Sequence, residues 1–335
     1  MTDAYDYVIV GAGTAGCVLA NRLSSEPSLR VVLVEAGPRD THPTIRVPAL
    51  VAAAIGNPKL GWGYKTVPQR HLGGREIPLP RGRVLGGCSS INGMVYFRGH
   101  PRDFDEWAEA GNGGWSYRDV LPYFIRSERN ETWERSPLHG RDGPMNVIDI
   151  PRPNKLIDNF LEATDSLQFR RCDDFAGPHP EGFNRRQATI RRGRRESGVT
   201  AYLDPVRHRQ NLSVVTDALV TRIVVTAGRA TGIEIERGGE RSIIEARREV
   251  ILSAGAFGSP QLLMLSGIGD AAALAALGIA PVLDRKSVGQ GLRDHPATAV
   301  QMRTDDPTSY GISWRVLPRG VWNVLEYLVA RQGPF

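Results

Sequence analysis

Near the start of the chain the apolar residues come in short unbroken runs; further along, apolar and polar positions alternate. Tyr7, Val8, Ile9 and Val10 form one run and Val31, Val32, Leu33 and Val34 another. Runs without polar interruption suit strands covered on both faces, as in a parallel sheet. The stretch between them predicts a helix, broken at Ser24, Ser25 and Pro27. Asn211 to Val225 alternates and is β-rich, and with the turn Ala227, Gly228, Arg229 and the stretch Gly232 to Glu236 it predicts a hairpin. Glu249 to Ser253 predicts a third parallel strand of the opening sheet. Ser259 and Pro260 read as the cap and first residue of the helix that follows, closed by Gly267. Between these regions the pattern predicts a short helix within 47–55 and two short helices from Asp103 to Phe124 around Trp115. A strand at Met145 to Ile150 and a helix from Asn154 to Leu167 follow.

The turn after the first strand adds chemistry. Gly11, Gly13 and Gly16 stand at G-x-G-x-x-G spacing. The first glycine permits a tight exit from the strand, the second lets backbone approach a pyrophosphate, and the third lets the helix pack closely. Thr14 and Ala15 open the helix, whose free N–H groups face an anion. The second strand ends in Glu35 and Ala36, the acid lying nineteen positions beyond Gly16. A carboxylate there suits a ribose with free hydroxyls and repels a 2′-phosphate. FAD and NAD both present an ADP half to such a turn, so these residues leave the choice open. Ala254 and Gly255, after the third strand, let the chain pass the nucleotide. Arg81 to Gly99 is glycine-rich, with Gly82, Gly86, Gly87 and Gly93 among small hydroxylic residues and Arg81 and Arg83 adding charge. It reads either as a ligand-contacting loop or as a plain connector.

Composition narrows the class. The chain has 335 residues, 41% of them hydrophobic, and a net charge of +6. That balance fits a globular protein of one large or two smaller domains and points to no polyanionic partner. The basic cluster Arg185, Arg186, Arg191, Arg192, Arg194 and Arg195 lacks interleaved aromatics and reads as a solvated face, so nucleic acid is not expected. Cys17, Cys88 and Cys172 lie far apart, which disfavours disulfides and zinc and suits a reducing, cytoplasmic location. No apolar run approaches a membrane span, and no leader is expected from the few residues before the first strand. His42, His71, His100, His139, His179 and His208 read as surface or loop histidines. His295 follows Asp294, but neighbours in a chain point apart, so it is a poor candidate base. No metal site is expected.

RGRVLGGCSSINGMVYFRG (Arg81 to Gly99) resembles the first signature of the glucose-methanol-choline oxidoreductases, FAD-dependent enzymes that oxidise alcohols. EVILSAGAFGSPQLLMLSGIG (Glu249 to Gly269) resembles their second signature, and the likeness extends over nearly the whole chain. The resemblance implies that the Gly11 turn holds the ADP half of FAD and that Val220 lies against the adenine. Val84 and the segment Asn92, Gly93, Met94 and Val95 are expected on the flavin side. Members that tether the flavin do so through a histidine just before that asparagine; Ile91 stands here, implying non-covalent FAD. Gly291 replaces an asparagine usual in VGQGLRDHP (Val288 to Pro296). The family's histidine base and its histidine or asparagine partner match nothing in this sequence, so no catalytic residue is assigned.

The expected fold is α/β, with α+β character: a Rossmann-type FAD-binding domain with a parallel sheet, plus an incomplete antiparallel-sheet substrate domain. The expected boundaries are 1–150 for the first part of the FAD domain, with a flavin-covering loop at 38–100, and 151–210 for part of the substrate domain. The FAD domain resumes at 211–285 and a truncated start of the substrate domain fills 286–335. The implied activity is oxidation of an alcohol to a carbonyl by hydride transfer to flavin N5, with a small alcohol as substrate and oxygen or a quinone-like compound as electron acceptor. The other reading is a truncated, non-catalytic nucleotide-binding fragment.

Overall fold

A computed structural model describes residues 4–151, 153–295, 297–301, 306, 322–323, 326–327 and 329–331. They fall into two compact units, one drawn from Met1–Arg46, Leu50–Asn92 and Ser197–Thr298, the other from Val47–Ala49, Gly93–Glu196 and Ala299–Phe335. The chain therefore changes unit at 92/93 and 196/197, where the sequence reading placed the changes at 150/151 and 210/211. Strand pairing is the reason. Val95–Tyr96, Glu128–Asn130 and Met145–Asp149 form one small sheet with Gln187–Ala188, which holds the whole stretch together.

The first unit is built on a six-stranded sheet. β1 (Ala4–Val10) leads into α1 (Thr14–Leu23) and β2 (Val31–Val34), and the chain later returns as β3 (Leu212–Val215), β4 (Leu219–Thr226), β5 (Arg229–Arg237) and β6 (Glu240–Leu252). The order across the sheet is β4-β5-β6-β1-β2-β3. β6, β1, β2 and β3 run parallel, with Val10 beside Leu252 on one side and Val34 on the other. Thirteen residues long, β6 pairs antiparallel with β5 through its first half and parallel with β1 through its second.

The residue pattern explains the sheet. Val8, Ile9 and Val10 and all four residues of β2 are buried, as central strands between two covered faces require. On β5, buried Ile233 and Ile235 alternate with Glu234 and Glu236, which marks a strand with one wet face. The core joins Val8, Val10, Val32 and Val34 to Ile233, Ile235, Ile244 and Ala246, with Leu262 from α2 (Gly255–Leu265) packed on them. Each such side chain contributes about 1.5–3 kcal/mol when fully removed from water.

Two local expectations change. Asn211 to Val225 is not one arm of a hairpin: β3 pairs parallel with β2, and the chain breaks at Asp217, in left-handed conformation at φ 57°, before the hairpin of β4 and β5. The turn is held because Asp217 and Ala218 donate their N–H groups to the carbonyls of Gly37 and Glu35. Helix α2 begins at Gly255, and Pro260 lies inside it. A proline this near the start removes a single intrahelical bond, so Ser259-Pro260 does not mark the boundary.

In the second unit, helices Pro101–Glu109 and Tyr117–Ser127 flank Trp115, each opened by a reciprocal cap, His100 with Asp103 and Ser116 with Asp119. Helix Lys155–Ser166 is capped by Asn154, whose side chain accepts from Leu156 N at 2.9 Å. The small sheet is antiparallel at Val95–Tyr96 and Gln187–Ala188 but parallel between Glu128–Asn130 and Met145–Asp149.

Candidate dinucleotide site

The glycine turn is placed by β1 and closed by contacts from three directions. Gly11 adopts φ 96°, a conformation only glycine takes without strain, and donates its N–H to Val34 O at 2.8 Å. A β-carbon on Gly11 would lie 2.7 Å from Ala254 Cα, so Ala254 packs directly against the turn. A β-carbon on Gly16 would lie 2.0 Å from Gly11 O, which is why the third position must be bare. Gly13 is different: a β-carbon there would meet only Ser253 O, at 3.9 Å. Gly13 also caps α1 with no side chain, so the first-turn amides at Thr14, Ala15 and Gly16 have neither an intrahelical acceptor nor a side-chain cap. Such a helix end suits an anion.

Glu35 ends β2 and is buried. Its Oε2 accepts from Ala12 N at 3.0 Å and its Oε1 from Gly37 N at 2.9 Å. Each oxygen keeps a second lone pair able to accept from a hydroxyl. Burial raises its pKa, opposed by the hydrogen bonds from Gly37 and Ala12 and by the charge of Arg83. Ala36 follows at the C-terminal end of β2, where Gly37 packs on the backbone of Arg83 and Val84 closely enough that a β-carbon would lie 2.1 Å from Arg83 O.

The glycine-rich stretch Arg81 to Asn92 folds onto the turn. Gly86 donates its N–H to Ala12 O at 2.8 Å, and a β-carbon on Gly87 would lie 2.9 Å from Gly13 Cα. The stretch therefore packs against the glycine turn. Val84, expected on the flavin side, has no exposed surface, backbone included, and its side chain packs with Ile45, Ala54, Leu60 and Ile91. Asn92 follows the short helix Gly87–Ser90 and donates its N–H to Cys88 O. Gly255 sits one residue beyond Ala254, and Val220, buried on β4, lies two residues beyond the Ala218 N–H that binds Glu35 O. Gly93, Met94 and Val95 belong to the second unit, where Met94 has φ 57° and Val95 pairs with Ala188.

The arginines expected to bring charge to this loop lie on aromatic faces, Arg81 over Phe257 at 4.9 Å and Arg83 over Trp62 at 5.3 Å. Asp294 pairs with Arg81 and accepts from the backbone N–H of His295, which is the geometry of a local turn and not of a supported imidazole base. Among the described residues no cluster of metal ligands occurs and no helix is long and apolar enough to cross a membrane. The three cysteines are free, and burial pushes the Cys17 thiol up to about 12.

Two groups of polar residues escaped the sequence reading. His139, expected at the surface, is buried in the second unit between Glu128 and Asp174, with 2.9 Å contacts to each. Glu128 also binds the buried Arg98 and the N–H of Gly140. Burial lowers the imidazole's pKa, but the hydrogen bonds it donates to the two carboxylates win and raise it to about 9. The basic cluster likewise is not all solvated: Arg195 is buried and desolvation lowers its pKa to about 10, whereas Arg185 and Arg194 stay exposed. Ser253, read only as a strand end, sends its hydroxyl to Gly11 O at 2.7 Å. A hydroxylic residue beside Ala254-Gly255 was the one available hint.

Residues 5–297 match the family model described as GMC oxidoreductase. The chain is 46% identical over 309 residues to an oxygen-dependent choline dehydrogenase of Sinorhizobium fredii, covering 92% of this chain and 56% of that protein. It is 42% identical over 331 residues to an alcohol dehydrogenase [acceptor] of Pseudomonas putida, covering 98% of this chain and 60% of that protein. Among solved structures it superposes on a formate oxidase variant of Aspergillus oryzae with TM-score 0.87 at 30% identity, over 99% of this chain and 60% of that one. It also superposes on pyridoxine 4-oxidase of Mesorbium loti with TM-score 0.79 at 36% identity, over 84% and 55%. The chain spans between half and two thirds of the length of these relatives. With the parallel sheet, the glycine turn and both signatures in place, the chain belongs to the GMC oxidoreductase family.

Proposed function

We propose that this chain is the FAD-binding part of an oxidoreductase that oxidises the CH–OH group of a small alcohol to a carbonyl. The observation that carries the reading is the seating of Gly86 and Gly87 on Ala12 and Gly13, which brings the family's first signature onto the phosphate turn. The residues fit the cofactor. The uncapped amides at Thr14, Ala15 and Gly16 would hold a diphosphate, Glu35 would accept from ribose hydroxyls, and the backbone of Val220 would read the adenine edge. Ala36, Ala254 and Gly255 would border the nucleotide, and the exposed Asn92, at the end of the covering loop, would lie toward the flavin. FAD, when bound, supplies a hydride acceptor at flavin N5. The first unit is then the FAD domain and the second the substrate domain.

Non-covalent binding is supported by Ile91, which is buried and has no nucleophilic atom. Choline or a simple primary alcohol is the proposed substrate, oxygen or a quinone-like compound the proposed acceptor, and the cytoplasm the proposed location, in keeping with three free cysteines. The test is reconstitution with FAD followed by anaerobic addition of choline or ethanol. Protein-bound flavin absorption should appear, bleaching by the alcohol is expected only where a segment supplying the family's histidine base is also present, and denaturation should release all flavin into the supernatant. Protein that takes up no flavin would overturn the reading, and flavin retained after denaturation would overturn its non-covalent part.

A further inference from the structure

Among the polar contacts around the phosphate turn, one peptide plane is gripped at both ends. The carbonyl of Gly11 accepts from Ser253 Oγ at 2.7 Å, a hydroxyl that also reaches Val10 O at 3.0 Å. The N–H on the same peptide, that of Ala12, donates to Glu35 Oε2 at 3.0 Å. The two grips come from opposite sides of β1, because Ser253 follows β6 and Glu35 follows β2, the two strands that flank it. Ser253 is itself fixed, its N–H bonded to Val10 O at 2.8 Å. The next carbonyl, Ala12 O, accepts from Gly86 N at 2.8 Å.

We propose that Ser253 is a positioning residue of the dinucleotide site, holding the Gly11–Ala12 peptide at the angle that aims the amides of Thr14, Ala15 and Gly16 at a diphosphate. This rests on the FAD reading above. The physical need comes from Gly11, whose missing side chain leaves the peptide after it free to rotate. The hydroxyl takes the carbonyl, the carboxylate takes the N–H, and rotation would break both bonds. The same grip accounts for the third glycine of the motif: a β-carbon on Gly16 would lie 2.0 Å from Gly11 O and 2.9 Å from Ser253 Oγ, so it would expel the carbonyl from its seat. Ser253 acts through Gly11.

The test compares wild type, Ser253→Ala and Ser253→Thr for binding of FAD, ADP and adenosine, by flavin fluorescence and calorimetry. Ser253→Ala should weaken FAD and ADP about five- to tenfold, the effect of one neutral hydrogen bond, and leave adenosine, which lacks the diphosphate, within about twofold. Ser253→Thr, which keeps the hydroxyl, should restore most of the loss. In the ligand-free protein, amide exchange over residues 11–16 should quicken in Ser253→Ala while that of β2 is unchanged. Unaltered FAD and ADP affinity in Ser253→Ala, or an equal loss for adenosine, would overturn the positioning role while leaving the FAD reading intact. Wild-type protein that binds neither FAD nor ADP would remove both.

Discussion

In the first unit the polar groups proposed to meet a ligand are backbone amides; in the second, the buried polar groups of one cluster are side chains turned toward one another. In the glycine turn Ser253 and Glu35 hold a peptide from its two ends, and the first amides of α1 have no side-chain cap. The cluster of Arg98, Glu128, His139 and Asp174 has its charges paired within itself: Glu128 takes Arg98, His139, Asn130 and Gly140, and Asp174 takes the other imidazole nitrogen. Burying charge is tolerable only when paired in this way. The difference teaches how the proposed binding site departs from a structural staple: the first leaves a row of helix amides without protein acceptors, while the second pairs its buried charges with one another.

The comparison can be broken first at Glu128. Removing its carboxylate in Glu128→Ala leaves Arg98 buried without its partner, and a loss of about 3–5 kcal/mol in denaturant unfolding is expected. A loss below about 1 kcal/mol would mean that the cluster is no staple. The pH dependence is next in size. His139 titrates at about 9 in the folded chain against an ordinary value of 6.5, so the folded state binds the extra proton. Its contribution is therefore complete below about pH 6.5 and is lost as pH rises through 9, an effect on the order of 3 kcal/mol. Unfolding free energies between pH 6 and 10 should show that decline in wild type and not in His139→Gln. The carboxylates act in the opposite sense: Glu128 and Asp174 are lowered, so their contribution fades as acid protonates them.

On the side of the turn, Gly16→Ala should abolish FAD retention, measured by flavin absorbance after gel filtration, and lower stability by about 1–3 kcal/mol through overpacking against Gly11 O. Retained yellow colour would show that the turn tolerates a shifted carbonyl. The smallest effect sharpens the scale. Asn154→Ala removes one cap from an exposed helix of the second unit and should cost about 1 kcal/mol by the same unfolding measurement, well short of Glu128→Ala.

How much was legible differs between the two regions for a physical reason. The parallel strands, the turn and Glu35 were readable because unbroken β-branched runs and glycine spacing are local constraints, each satisfied within about thirty residues. The stretch Arg81 to Asn92 is legible as glycine-rich, but only the tertiary structure shows it folded onto Ala12 and Gly13. His139 looked like a loop histidine because its partners stand 11 and 35 positions away, with no periodicity linking them. The helix after β6 was misjudged at its start because Ser259-Pro260 is a strong local signal that the strand's exit overrides. Arg195 was taken with its exposed neighbours because a run of arginines does not say which of them turns inward.

By itself the sequence determined the opening βαβ unit, the acid that closes it, and membership of a family through two separated signatures, since all of these are written in residues near one another. Only the tertiary structure decided that the chain leaves the first unit at residue 92 and returns at 197, that Ser253 reaches across to Gly11, and that Glu128 gathers Arg98 and His139. Those pairings join residues tens to hundreds of positions apart. A long-range hydrogen bond leaves no periodic trace in a single chain, because either partner alone is an ordinary polar residue.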